Sequence, residues 1–336
     1  MVLLLHKSSK LYSKLDNHIH NHHDHHHHHH HQSMELSSSL QVFQLQVSKF
    51  IGQLALDLES EYEVLSLSWI QKCFDLLPFT DKAFAKLVLD IDYPMRSWEV
   101  DSIERYLNYT LCLLELFNSI SYSLSHLGQT RLSLSHGLSL LENENSSSLA
   151  SATRHLKPIQ LACFSFSTNF GKDLHIQGDN NNNKARFLSS KEMVINEALK
   201  EMEHIGFCVC GVVLSGLCNN GKPYLELRKM AGGFDGSLVL MLDTKINEQL
   251  LKKVPILKEV KEINDVVADL VVASDEVKND VAKELKTKLQ VFEKLSDVVK
   301  MKVDDMFAKV MSQRTELIDC IRVIKQPLKS VASLLV

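Results

Sequence analysis

Residues 275–325 read DEVKNDVAKELKTKLQVFEKLSDVVKMKVDDMFAKVMSQRTELIDCIRVIK, and this stretch decides the fold. Apolar residues recur in it every three or four positions, Lys, Asp and Glu fill most of the others, and Pro and Gly are absent. The pattern predicts one very long amphipathic helix, or two in line. At about 1.5 Å per residue a single helix would span roughly 75 Å. The apolar positions are Val277, Val281, Leu285, Leu289, Phe292, Leu295, Val299, Val303, Met306, Val310, Leu317 and Ile321.

The apolar stripe of this long helix must pack against another surface. Its spacing mixes threes and fours without a clean heptad, which favours packing within one antiparallel bundle over a dedicated dimer. A more specific hypothesis is that the helix extends beyond the bundle and that part of its apolar stripe binds a protein partner. The candidate partner face then consists of Val277, Val281, Leu285, Leu289, Phe292, Leu295 and Val299.

The composition supports a helical fold for the whole chain. Gly and Pro number only 12 and 6 among 336 residues, which suits helices and argues against sandwiches and barrels rich in turns. We therefore predict an all-α fold, an elongated antiparallel helical bundle with a very long C-terminal helix. A net charge of -4 gives no reason to expect a nucleic-acid partner.

Local composition divides the chain into five parts. The His-, Asn- and Ser-rich terminus 1–39 and the Asn-rich loop 165–188 bury little apolar area and are expected to be disordered or flexible. Helical segments of one bundle are expected at 40–164 and 189–326, followed by a tail at 327–336.

Breaker residues predict where individual helices end. Ser189 and Glu192 match a capping box at a helix start, and 219–236 reads as a loop. Further helices are expected at about 61–77, 81–91, 98–125 and 130–142. Pro78 would end or kink the first of these, and Gly128 lies between the last two.

The least routine feature is an uncharged segment of 14 residues at 205–218. As a helix it spans about 21 Å, less than the roughly 30 Å of a bilayer core, so it is either a buried core helix or a membrane-associated segment. Gly206, Gly211 and Gly216 would let another backbone approach closely. The candidate core or membrane residues are Ile205, Phe207, Val209, Val212, Val213, Leu214 and Leu217.

Motifs that carry chemistry are weak in this sequence. Cys208 and Cys210 do not form a Cys-x-x-Cys pair, and His204 with Cys208 would supply only two metal ligands. The seven Cys are read as reduced core thiols. Tracts of consecutive His in general bind metal ions in vitro, but the tract 25–31 is interpreted as a disordered repeat expansion. We therefore predict no catalytic, cofactor or metal residues, and a protein that is not an enzyme.

Several stretches resemble the plant BYPASS family, and Trp69 and Trp98 anchor the resemblance. They are helix-packing motifs rather than catalytic ones. The stretches are Leu65-Ser-Leu-Ser-Trp-Ile-Gln-Lys-Cys-Phe74, Ser97-Trp-Glu99, Tyr106-Leu-Asn-Tyr-Thr-Leu-Cys-Leu-Leu-Glu-Leu-Phe-Asn118, Met1-Val-Leu-Leu4 with Lys10-Leu-Tyr-Ser-Lys-Leu15, and 303–322.

The resemblance implies a helical regulatory or scaffold protein of plant root and shoot development that restrains a root-derived mobile signal. It also implies a link to the exocyst vesicle-tethering complex. The expected location is the cytoplasm, with peripheral membrane contact, and plastid or endoplasmic reticulum is the alternative. The alternative function is an enzyme, or a factor that binds a lipid or another apolar ligand, on the pathway to the signal. Such a ligand would need a cavity beside the three glycines of segment 205–218.

Overall fold

The computed structural model describes residues 25–60, 65–142, 146–160, 188–252 and 257–325. All regular structure in these ranges is helical, which confirms the all-α prediction. A short 3-10 turn at Met95–Ser97 precedes the third helix. The α-helices are α1 His25–Ser60, α2 Leu67–Asp90, α3 Val100–Glu142, α4 Ser146–His155, α5 Ser190–Cys218, α6 Lys222–Met230, α7 Leu240–Lys252, α8 Lys258–Val272 and α9 Asp275–Lys325.

Helix α5 lies at the centre of the bundle and contacts α1, α2, α3 and α6. Every residue from Glu201 to Cys218 in this helix is buried, so it is covered on all sides. A helix that is apolar all round is stable only in such a position, because each of its faces must leave water.

Helix α9 is one continuous helix of 51 residues, about 77 Å long, that packs on α2, α3 and α8. Its core-facing residues follow one another in alternate steps of four and three, which is a heptad spacing. The regularity is hidden in the sequence because polar Ser296 and Gln313 occupy two of the positions. Gln313 is buried and donates to a carboxylate oxygen of Asp81 over 3.1 Å. The row is 285, 289, 292, 296, 299, 303, 306, 310, 313 and 317.

No helix ends at Pro78 or at Gly128, because α2 runs through Pro78 and α3 runs through Gly128, so the helix ends predicted there are wrong. Pro78 removes one backbone donor, yet buried Phe74, Leu77 and Phe84 on both sides of it hold the helix in the core. A glycine inside a helix costs only about 1 kcal/mol. Tertiary packing outweighs both penalties.

The predicted loop at 219–236 contains helix α6, so that prediction is wrong in part. Pro223 lies in the first turn of this helix, where a fixed φ favours a helix start. The loop proper follows α6, and Gly232, Gly233 and Gly236 all have positive φ there. These glycines serve the turn, since other residues rarely adopt that conformation.

Several predicted segments differ from the structure or lie outside it. Helix α1 begins at His25, which differs from the disordered terminus predicted up to residue 39. The predicted Asn-rich loop 165–188, except for its last residue, and the predicted tail 327–336 lie outside the described residues.

Candidate functional site

The apolar segment 205–218 forms the second half of α5 and lies in the middle of the core. All of the candidate core or membrane residues are buried: Ile205, Phe207, Val209, Val212, Val213, Leu214 and Leu217. Among the described residues, α5 is one helix that is long and apolar enough to cross a membrane, and its apolar part is completely buried. A core helix has the same length and composition, and the packing matches a core role.

The three glycines of this segment admit close neighbours, as the sequence predicted. A Cβ atom at Gly206 would lie 2.6 Å from the Tyr109 hydroxyl, and one at Gly211 would lie 3.2 Å from the Cα atom of Tyr224. A Cβ atom at Gly216 would lie 3.4 to 3.5 Å from three side chains of two other segments. Next to Tyr109, and lined by residues of α2, α3, α5 and α9, lies a cavity of about 20 Å³, the size of one water molecule. This packing counts against a site for an apolar ligand beside the glycines.

The candidate partner face on α9 is mostly used inside the bundle. Leu285, Leu289, Phe292 and Val299 are buried, and Val281 and Leu295 are partly buried against the core. Val277, near the start of the helix, is 51% exposed. The stripe therefore packs within the chain over most of its length, and a partner surface is to be sought at its start or elsewhere.

A buried polar network joins α6 to α7 around the carboxylate of Asp243. Asp243 is 2% exposed and accepts hydrogen bonds from the Tyr224 hydroxyl at 2.6 Å, from Arg228 Nε at 3.0 Å and from Asn247 at 2.9 Å. The Cys208 sulfur lies 4.0 Å from the same hydroxyl. Desolvation, with the nearby charges, raises the pKa of Tyr224, so its hydroxyl remains a donor. Sequence reasoning missed this network because Arg228 and Asp243 are separated by a turn with no recognisable motif.

A second buried ion pair links α3 to α5. Arg105 donates to both carboxylate oxygens of Glu203 over 2.8 and 2.5 Å, and the Glu203 side chain is 2% exposed. Burial raises the pKa of Glu203, while Arg105 lowers it. Bidentate pairing fixes the relative position of the two helices.

Three carboxylates serve as caps for the ends of other helices. Glu192 accepts from Ser102 and from the backbone N–H of Glu99, at the start of α3. Glu259 accepts from the Leu67 N–H at the start of α2, and Glu201 accepts from the Leu238 N–H just before α7. Free N–H groups at helix starts favour negative charge, so these bonds position neighbouring helices.

The predicted capping box at Ser189 and Glu192 is half formed. The Ser189 hydroxyl accepts from the Glu192 N–H at 3.2 Å, as expected. The Glu192 side chain does not return to Ser189 but contacts the start of α3. The same two residues thus begin one helix and attach it to another.

His204 has an unusual environment beside the Asp243 network. It is 3% exposed, its ring packs edge-on against Phe234, and Nδ1 has no hydrogen-bond partner. Burial, with smaller contributions from Lys200 and Arg105, lowers the pKa of His204 to about 4, although a bond to the Ala231 backbone opposes the shift. The ring is therefore neutral at pH 7 in the folded protein.

Stability is expected to fall as pH decreases from about 6.5 to 4, because the unfolded chain then takes up a proton that folded His204 resists. The expected loss is about 3 kcal/mol over that range, from the separation of the two pKa values. Urea unfolding at pH 7 and pH 4.5 gives the change in the free energy of unfolding for the wild type and for His204→Leu. The difference between these two changes is the contribution of His204. Glu201 and Glu203 have raised pKa values, so they favour the folded state as pH decreases, opposite to His204. Both proteins contain these two residues, so their effect cancels in the comparison. Equal pH dependence in both proteins would contradict the prediction.

The cysteines in the described residues are free thiols. Cys73, Cys112, Cys208, Cys210 and Cys218 are buried, and Cys320 is partly buried. Desolvation raises the pKa of Cys208 to about 12, so the reactive thiolate is scarce. No group of three or more metal-binding side chains occurs within the described ranges. His204 and Cys208 are therefore not joined there by a third possible metal ligand.

The two tryptophans that anchor the family resemblance are packing residues. Trp69 is buried in α2 and donates from its indole N–H to the Leu54 carbonyl of α1. Trp98 stacks edge-on against Phe84 and Tyr106 and donates to the Tyr93 carbonyl. Motifs of this kind specify an arrangement of helices rather than a reaction.

Relatives of the chain are found among plant proteins. A protein of Oryza sativa subsp. japonica described as UPF0496 protein 4 is 25% identical over 219 residues, or 61% of this chain and 48% of the relative. The protein of the same description from subsp. indica is 26% identical over 225 residues, with the same coverage. "Protein BPS1, chloroplastic" of Arabidopsis thaliana is 28% identical over 124 residues, or 37% of this chain and 35% of that one.

No family model matches the sequence, and no solved structure matches it. The chain spans about half the length of the rice relatives that it matches. The resemblance read from the helix-packing motifs is nevertheless confirmed: the chain is related to the UPF0496 and BPS1 proteins of plants.

Proposed function

We propose that the chain is a non-enzymatic regulatory or scaffold protein of plant root and shoot development that acts by binding other proteins. Its relation to BPS1 and UPF0496 proteins supports the developmental role, in which the BYPASS resemblance implies restraint of a root-derived mobile signal. The interior supports a binding role, because its buried charges are engaged with other parts of the chain and its apolar segment is filled by side chains. Binding is therefore assigned to the surface.

The observation that carries the proposal is an exposed apolar cluster at the tip of the α8–α9 hairpin. Helix α8 ends with Val271 and Val272, which are 60% and 82% exposed, and two residues separate it from α9. Val277 lies in the first turn of α9 and is also half exposed. Its N–H donates to the Ser274 carbonyl at 3.1 Å, which keeps the turn tight. Three exposed apolar side chains at this tip favour contact with a partner, since burying them releases water.

A subunit of the exocyst tethering complex is the partner that the family resemblance implies. A cytoplasmic location with peripheral membrane contact goes with this proposal, and plastid or endoplasmic reticulum is the alternative. The full name of the relative BPS1 describes that protein as chloroplastic.

The test is a variant that changes the tip and leaves the core unchanged. Val272→Asp with Val277→Asp is expected to keep the melting curve of the wild type within about 0.5 kcal/mol, since surface changes are usually that small. The same variant should fail to restore root and shoot growth in plants that lack the gene, and should bind purified exocyst subunits more weakly than the wild type.

The matched control is Leu45→Asp with Leu132→Asp, which introduces the same two charges at exposed leucines on α1 and α3, far along the chain from the tip. This control should restore growth. Full restoration by the tip variant would show that the valines are not the partner surface.

A further inference from the structure

The side of α9 that faces away from the bundle carries a second regular row of residues, here called the outer row. Each position lies two residues after one of the buried row, about 200° around the helix. Only Lys294 and Asp305 in it are charged, although this face lies in water. The outer row is Thr287, Val291, Lys294, Val298, Met301, Asp305, Ala308, Ser312 and Thr315, and every member is exposed.

The spacing of the outer row is that of a coiled-coil seam. Its members follow one another in alternate steps of four and three over 29 positions, a length of about 42 Å. Val291, Val298 and Met301 at its centre are 50%, 38% and 64% exposed. A helix that faced only water would have no need for a seam of this kind beside the one that it uses in the core.

We propose that the outer row pairs with the outer row of a second copy of this chain, and that the two α9 helices run antiparallel. A two-fold axis between Val298 and Met301 places each of these residues opposite the other in the second copy. This register is favoured by charge, because it places Lys294 of each copy opposite Asp305 of the other. The two-fold symmetry makes this ion pair occur twice. Farther from the axis, Val291 meets Ala308 and Thr287 meets Ser312.

A parallel pairing lacks this complementarity. It would bring Lys294 of one copy against Lys294 of the other, and Asp305 against Asp305. Like charges in a coiled-coil seam are unfavourable, whereas opposite charges fix orientation. The antiparallel arrangement therefore fits the sequence of the outer row better.

The basic edge of the seam is already neutralised within the chain. Lys288, Lys302 and Lys309 flank the outer row on one side, where two copies would bring lysines together. Each of them forms an ion pair with an acid of its own chain, so the repulsion between copies is reduced. The partners are Glu262 for Lys288 at 3.1 Å, Asp75 for Lys302, and Asp81 for Lys309 at 2.7 Å.

The other edge carries Asp297 and Asp304, which would approach each other across the two copies. Lys300 lies three residues after the first and four before the second on the same side of α9, and this spacing moderates the repulsion. An interface along one helix is at the small end for specific complexes, so the dimer should dissociate on dilution.

The test is sedimentation velocity of the full chain over a range of concentrations. The wild type is expected to change from monomer to dimer as concentration rises. Lys294→Asp and Asp305→Lys should each raise the dissociation constant about tenfold or more, because each creates two like-charge contacts. Combining the two substitutions should restore dimerisation, since the opposite charges face each other again.

Lys49→Asp is the control, with the same change of charge at an exposed lysine on α1, and it should affect the dimer less than either single variant. Thermal melts of all variants show that each stays folded. A monomer at every concentration would overturn the proposal and leave the row to a different protein. Single variants that dimerise like the wild type, or a double variant that does not recover, would exclude this antiparallel register.

Discussion

Val209→Asp combined with Val213→Asp is expected to abolish the cooperative folding of the protein. Both valines lie in α5, and their exposed fractions are 1% and 0%. A carboxylate placed there without a partner costs more than about 4 kcal/mol, and two of them equal or exceed the roughly 5–15 kcal/mol by which a typical domain is stable. The measurement is circular dichroism and solubility of the purified variant beside the wild type, with Leu45→Asp plus Leu132→Asp as the matched surface control.

The same variant separates a core segment from a membrane-inserted one. In fractionation of plant cells, the wild type is not expected to remain in the membrane pellet after salt and carbonate washes. The variant is expected to aggregate. A wild type that resists carbonate and a variant that is folded and soluble would show instead that α5 enters the membrane. The expectation follows from the complete burial of its apolar part in the bundle.

Asp243→Ala is expected to lower the free energy of unfolding by about 3–5 kcal/mol, because it removes the shared acceptor of a buried ion pair. The Tyr224 hydroxyl would lose its partner inside the core, and Arg228 would keep a charge without its carboxylate. Urea unfolding at pH 7 measures the loss. Helices α6 and α7 should separate first, since this carboxylate joins them.

Asn247→Ala provides the control for this network. It removes one partly exposed donor to Asp243 at 2.9 Å and should cost only about 1 kcal/mol. Asp243→Asn should lie between the two, since it keeps the shape and loses the charge. If Asp243→Ala cost no more than the control, the network would not hold the two helices together.

Helix content could be predicted from the sequence because periodicity is a local property. The stripe of α9 and the start of α5 at Ser189 follow from spacing and capping chemistry that a few neighbouring residues define. The helix ends predicted at Pro78 and Gly128 were wrong because tertiary packing is not a local property. Local penalties of about 1–3 kcal/mol predict a break, yet burial on both sides of each residue offsets them.

The candidate sites could likewise be predicted only in part from the sequence. That segment 205–218 is apolar and rich in glycine was evident, but core and membrane environments require the same composition. The four or more neighbouring segments that cover α5 decided between them in the fold. The polar contacts of Asp243, Glu203 and Glu192 had no signal in the sequence, since their partners come from other helices.

The sequence by itself determined that the chain is helical, that α9 is very long and amphipathic, and that it resembles the BYPASS proteins. These properties depend on residues that are close in the chain. Only the tertiary structure decided which faces remain in water. Most of the predicted partner face from 277 to 299 is core, while the tip with Val272 and the outer row around Val298 are exposed. Exposure depends on which helices pack together, and that is a property of contacts between residues far apart in the chain.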